Sequence, residues 1–236
     1  MSRDVVWLFG RGLSIECGVS WVEPPEWKPL AREERVGRIE KALRAAMDAP
    51  KVDTFAIRRF LDYLGREVDA GCRYLLLTTN WDFLLQREID VAFSAPWPKI
   101  KGVFHLNGTV EDRLYANRSR SLPRRTPLLL EDDPAERRVQ TIEGNWAFNL
   151  MIWEKVFVVV GMSFECQTDK FLLHHLSEVQ DDLPIGESLW VIVNPDRASL
   201  DAVSSRILKV LPGAKVNSVC STFSRWQDEG FPGLEG

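Results

Sequence analysis

Apolar residues fall into two kinds of run that alternate along the chain. Some runs are short and unbroken: Val5 to Phe9, Tyr74 to Thr79, Val103 to Leu106, Phe157 to Val160, and Leu189 to Val193. Runs without polar alternation suit strands covered on both faces, as in a parallel sheet. Lys215 to Val219 is a weaker sixth candidate. Between these runs, apolar residues recur at helical spacing over Leu30 to Met47, Thr54 to Val68, Asp82 to Ile89, Asp169 to Val179 and Ser199 to Leu211. Asp53-Thr54 and Asp169 read as N-caps, and Gly71 as a C-terminal stop. Strand and helix in alternation predict an α/β fold, a doubly wound parallel sheet of Rossmann-like type with helices on both faces. The 236 residues suit one domain spanning 1–236.

The stretch 109–145 breaks the alternation. It holds Arg118, Arg120, Arg124 and Arg125, two prolines (Pro123 and Pro127), and the acidic run Glu131-Asp132-Asp133. It is expected to be an irregular insert or lid at the edge of the sheet, a solvated loop being the plainer reading.

Composition changes this picture little. The chain is 45% hydrophobic and 27% charged, ordinary values for a globular protein. Its 30 basic and 34 acidic residues leave a net charge of −4, so no general pull toward nucleic acid or an anionic membrane is expected. The longest apolar run, Val156 to Met162, is too short to span a bilayer, and the amino terminus has no signal-peptide pattern. Cys17, Cys72, Cys166 and Cys220 form no C-x-x-C pair, so free and mostly buried thiols are expected, in a cytoplasmic protein without zinc.

The candidate chemistry lies at the strand exits. In an open parallel sheet, ligands bind at the carboxyl ends of the strands. Here those ends read Gly10-Arg11-Gly12, Thr79-Asn80-Trp81-Asp82, Asn107-Gly108, Gly161-Met162-Ser163 and Asn194-Pro195-Asp196. Small residues let a backbone approach phosphates, and short amides and acids reach ribose hydroxyls. Gly10-x-Gly12 after the first strand is by itself a weak signal, because Ile15 stands where a third glycine would. Asn80 is expected in the crevice, with Asp82 capping the next helix and Trp81 available to stack on a ligand ring. His174 and His175 read as ordinary helix residues.

In order, these segments resemble the sirtuins. Gly10-Arg11-Gly12-Leu13-Ser14 resembles G-A-G-x-S, and Glu16-Cys17-Gly18-Val19 resembles the E-S-G-I that follows. Thr79-Asn80-Trp81-Asp82 resembles Q-N-x-D, closest to the T-T-N-Y-D of bacterial SIR2-like proteins. Leu106-Asn107-Gly108-Thr109 falls where the family has L-H-G-S, Val160-Gly161-Met162-Ser163 resembles V-G-T-S, and Val193-Asn194 resembles I-N. The resemblance implies a sirtuin-type domain with NAD across the strand ends. It places Gly10, Gly12 and Ser14 at the pyrophosphate and Gly161, Ser163 and Asn194 at the adenosine half. Asn80 and Asp82 would border the nicotinamide ribose, and Arg11, Thr79 and Trp81 are further cofactor-binding candidates.

Three departures qualify that expectation. No cysteine pairs are present for the zinc module of the protein deacylases, which argues against deacetylation. Asn107 replaces the catalytic histidine, and an amide is no base near neutral pH. His105 lies on the same face of the strand, about 6–7 Å back; it is the substitute base or a structural histidine. Arg11, standing between the glycines, clamps a phosphate or blocks the site. The readings left open are an NAD glycohydrolase like those of bacterial antiphage defence, a module that binds NAD or ADP-ribose without cleaving it, and a structural protein. A homo-oligomer or a partner sensor protein would suit a defence role.

Overall fold

The computed structural model describes residues 4–92, 103–110, 149–181 and 184–234, together with 113–114, 121–122, 129, 132 and 147. Six strands form one all-parallel sheet: β1 (Asp4–Phe9), β2 (Arg73–Thr78), β3 (Val103–His105), β6 (Val156–Val160), β7 (Leu189–Val193) and β8 (Lys215–Val219). Two short strands, β4 (Arg113–Leu114) and β5 (Ser121–Leu122), pair as a separate antiparallel ribbon. The main sheet runs β3-β2-β1-β6-β7-β8, so the winding reverses between β1 and β6. A reversal of this kind leaves a crevice at the carboxyl ends of the two central strands.

Strand pleating explains why the runs are apolar throughout. Val5, Trp7 and Phe9 of β1, with Val158 and Val160 of β6, face one core cluster. That cluster is completed by α1 (Arg11–Glu16), α3 (Phe55–Asp69), α4 (Leu84–Ala92), α7 (Phe223–Asp228) and the carboxyl end of α2 (Arg32–Met47). The intervening residues, Val6, Leu8, Phe157 and Val159, face a second cluster built with α5 (Gln167–Glu178) and α6 (Arg197–Val210). Aromatic rings fill much of both layers: Trp7 meets Phe60 with ring centroids 4.6 Å apart, and Phe157 stacks on Trp190 at 4.4 Å. No helix among the described residues is long and apolar enough to cross a membrane.

All six expected strands are present, including β8, whose largely exposed side chains explain its weak apolar signal. The five expected helices are present with ends shifted by a few residues. Gly71 ends α3 with φ +98°, a backbone conformation that favours glycine. The Asp53 carboxylate accepts the Phe55 N–H at 2.8 Å, with Thr54 as the N-cap residue. Two expectations are corrected. Asp169 is not the N-cap of α5; Cys166 is, and Asp169 lies buried in the first turn. Only Cys17 is a buried thiol: Cys72 and Cys166 are half-buried and Cys220, after the edge strand, is exposed, and none of the four is in a disulfide.

Of the basic cluster expected at 109–145, all four arginines lie outside the described residues, as do Glu131 and Asp133. Described parts of that stretch are tied to the core. Leu129 packs on Val36 and Ile39 of α2, and Asp132 takes a bidentate bond from Arg32. Thr109 and Val110 both bond to the Trp81 carbonyl.

Candidate functional site

At the β1/β6 reversal the turns after the two strands are pressed together. Gly10 N–H donates to the Val160 carbonyl and Gly12 N–H to the Gly161 carbonyl, both at 2.9 Å. A Cβ on Gly10 would lie 2.6 Å from the Gly161 oxygen, and one on Gly12 would lie 2.5 Å from the Gly161 Cα. Gly161 itself has φ +60°. These glycines are therefore required by the crossing of two backbones. The Gly12 N–H that the sequence offers to a pyrophosphate is already donated to Gly161, and neither Gly12 nor Gly161 lines the cavity. Phe164, buried and with φ +55°, continues the turn after β6 in a conformation that costs a non-glycine residue about 1–3 kcal/mol.

Above these turns lies a cavity of about 420 Å³, within the ordinary range for small-molecule sites. Its floor is a chain of hydrogen bonds linking the ends of β1 and β2. Asn80 Nδ2 donates to the Gly10 carbonyl at 3.0 Å and to Ser14 Oγ at 2.8 Å, and Ser14 Oγ donates to Asp82 Oδ2 at 2.5 Å. Asp82 Oδ1 accepts the Leu84 N–H at 3.3 Å, the expected cap of α4. With the Asn80 amide nitrogen committed twice, its Oδ1 is the end left to accept a hydroxyl. Burial pushes the Asp82 carboxyl above its usual range, while the Ser14 and Leu84 bonds pull the other way.

Asn107, in the turn after β3, donates from Nδ2 to the Thr79 carbonyl at 3.2 Å. Across from it, on α5, is Asp169, which is 6% exposed. Burial raises its carboxyl to about 6, opposed by the Cys166 thiol and the Asn107 amide, which favour the charged form. Asp169 Oδ1 has no hydrogen-bond partner among the described residues.

The remaining wall comes from the segment between α1 and α2. Trp21, Val22, Glu23 and Lys28 line it, and Trp21 lies 6.4 Å from the Trp81 ring. Buried Arg35 of α2 holds Glu23 in a two-pronged ion pair, its Nη2 on Oε2 at 2.8 Å. Arg11 is exposed at the rim, where Nη2 donates to the Trp21 carbonyl at 2.5 Å. It ties down this segment.

Of the residues singled out in the sequence, Gly10, Arg11, Ser14, Thr79, Asn80, Trp81, Asp82, Asn107 and Ser163 meet at the cavity. Gly12, Gly161, Asn194 and His105 do not line it. Asn194 accepts the Asp196 N–H at 2.9 Å, shaping the turn into α6. His105 is 3% exposed, with its ring stacked on Phe83 at 5.5 Å. That geometry suits a packing residue and not a base in contact with substrate. Among the described residues no cluster of three or more His, Cys, Asp or Glu side chains could hold a metal ion.

No protein-family model matches this sequence, and no curated protein does. Solved structures do match along nearly the whole chain. A complex of Sir2 with p53 peptide and NAD+ aligns at 17% identity, covering 97% of this chain and 94% of that one, with a TM-score of 0.55. Sir2 bound to acetylated peptide aligns at 16% identity over 98% and 94%, also at 0.55. Sir2 with an inhibitor, 2′-O-acetyl-ADP-ribose and deacetylated p53 peptide aligns at 17% identity over 97% and 95%, at 0.54. The chain has the Sir2 fold.

Proposed function

We propose, from a Sir2 fold with a polar crevice at its winding reversal, that this chain binds NAD there and hydrolyses it to nicotinamide and ADP-ribose. The observation that carries the reading is the Asn80–Ser14–Asp82 chain on the cavity floor. It orients one amide oxygen, Asn80 Oδ1, at a position able to take a ribose hydroxyl. Cleavage of the bond from ribose to nicotinamide builds positive charge on the sugar carbon. Oriented dipoles and a nearby carboxylate, such as Asp82, stabilise that charge without needing a strong base. The NAD and acetyl-ADP-ribose held by the similar solved structures support the ligand class.

The reading stops short of protein deacylation, since the four cysteines form no metal-binding pair. A second reading is favoured by Asn107, which stands where the resemblance expects a histidine: the crevice would hold NAD or ADP-ribose without cleaving it. Incubation with NAD and chromatography of nicotinamide separates the two. The hydrolytic reading predicts release that is lost in Asn80→Ala. Stabilisation by NAD or ADP-ribose in thermal melting, with no release from the unaltered protein, would leave the binding module.

A further inference from the structure

Hydrolysis of NAD needs an acceptor for the proton of the attacking water, and that acceptor must touch the cavity. His105, packed on Phe83, does not. Among the described residues three carboxylates line the cavity: Glu23, Asp82 and Asp169. Glu23 is held by Arg35. Asp82 is bonded at both oxygens, by Ser14 and by the Leu84 N–H. Asp169 alone of the three keeps an oxygen, Oδ1, without a partner among the described residues. It also sits beside Asn107, the residue that occupies the histidine position in the resemblance.

We propose that Asp169 is the general base of this hydrolysis, its carboxylate receiving the proton of the water that attacks the ribose. The inference rests on the hydrolytic reading given above. As the bond from the ribose C1′ to the nicotinamide nitrogen breaks, its electron pair goes to the ring nitrogen and neutral nicotinamide leaves. The water oxygen bonds to C1′, one water proton passes to Asp169, and that proton then goes to solvent. The products are nicotinamide, ADP-ribose and a proton. The Asn107 amide, anchored on the Thr79 carbonyl at 3.2 Å, positions the carboxylate from the β3 side.

The surroundings suit a base that works near neutral pH. Burial raises Asp169 to about 6, so it is ionised at physiological pH and yet basic enough to take a proton. The titratable group bonded to it is Cys166, the N-cap residue of α5, and Asn107 faces it as a neutral amide. Among the described residues, the other charged groups of the cavity are Asp82 after β2, Arg11 after β1, Glu23 and Lys28 of the covering segment, and Arg35 of α2.

The test follows nicotinamide release by the full chain and by Asp169→Asn between pH about 5 and about 8, with NAD stabilisation measured on the same samples. Expected is a rate in the unaltered protein that falls below a pH of about 6, with release in the variant reduced by at least about 100-fold while NAD still stabilises it. A variant that keeps its rate within a few-fold and keeps the acid limb overturns the inference and leaves the hydrolytic reading standing. Failure of that reading shows instead in the unaltered protein, as binding without release. Should Asp169→Asn fail to fold, Asp169→Glu is the substitute. It retains a carboxylate at a changed reach, so a base role predicts a lowered rate with a displaced acid limb. An unmoved limb in that variant, or no acid limb in the unaltered protein, contradicts the proposal.

Discussion

Burial holds the Asp169 carboxyl at about 6 against an ordinary 3.8, and each unit of such a shift corresponds to about 1.4 kcal/mol. The folded state therefore binds this proton more tightly than the unfolded state. The stabilisation that results is complete below the unfolded value and is lost as pH rises through about 6. Above that pH the folded protein carries a buried charge at a cost on the order of 3 kcal/mol. Asp169→Asn keeps the shape and removes the charge. Its melting temperature is expected to exceed that of the unaltered protein at pH 7 to 8, with the gap closing toward pH 4. Parallel melting curves across that range would contradict a strained, buried carboxylate. This residue was misread as a cap because its spacing from Ser163 reveals nothing of which way the first turn of α5 faces. Asn80, Asp82 and Asn107 were legible, because residues just past a buried strand must emerge at the sheet's carboxyl edge. The Glu23–Arg35 pair and the Trp21 wall were not, since only the folding of the 18–31 segment over the turns brings them to the cavity.

At the scale of elements, the two central turns form one unit. Gly12→Ala sets a methyl group against the Gly161 backbone, where no flexible side chain can yield. It is expected to cost at least about 1–3 kcal/mol, read as a lower midpoint in urea unfolding. An unchanged midpoint would mean that the turns are looser than their hydrogen bonds indicate. A second junction ties the start of the chain to its end. The Glu16 carboxylate accepts the Phe223 N–H at 2.8 Å and the Ser224 N–H at 2.7 Å, acting as a cap on α7 from more than 200 residues away. Glu16→Ala leaves those N–H groups to water and is expected to cost about 1–2 kcal/mol. Faster amide exchange confined to 223–228 and its contacts would be the signature, and uniform protection would rule the cap out. The strands were legible because each is covered on both faces, so its whole run is apolar. α1 and α7 were missed because six residues are too few to establish a helical period. The Glu16 of the E-S-G-I resemblance had no visible partner in sequence.

For the whole molecule, the reversal between β1 and β6 does the organising. It opens the crevice, the glycine crossing closes its base, and residues just past β1, β2, β3 and β6 converge on it with α5 and with the 18–31 segment as a wall. The Sir2 fold was readable from short matches in order at five strand exits, although overall identity to the similar solved structures is only 16–17%. The central claim is that this crevice is an NAD site, and both functional readings depend on it. Titration calorimetry of the full chain with NAD tests it most directly, with Asn80→Ala alongside after its fold is checked by circular dichroism. The account predicts saturable binding of one NAD per chain, weakened at least about tenfold, or roughly 1.4 kcal/mol, by the substitution. No heat of binding, or equal affinity in the two proteins, would contradict it.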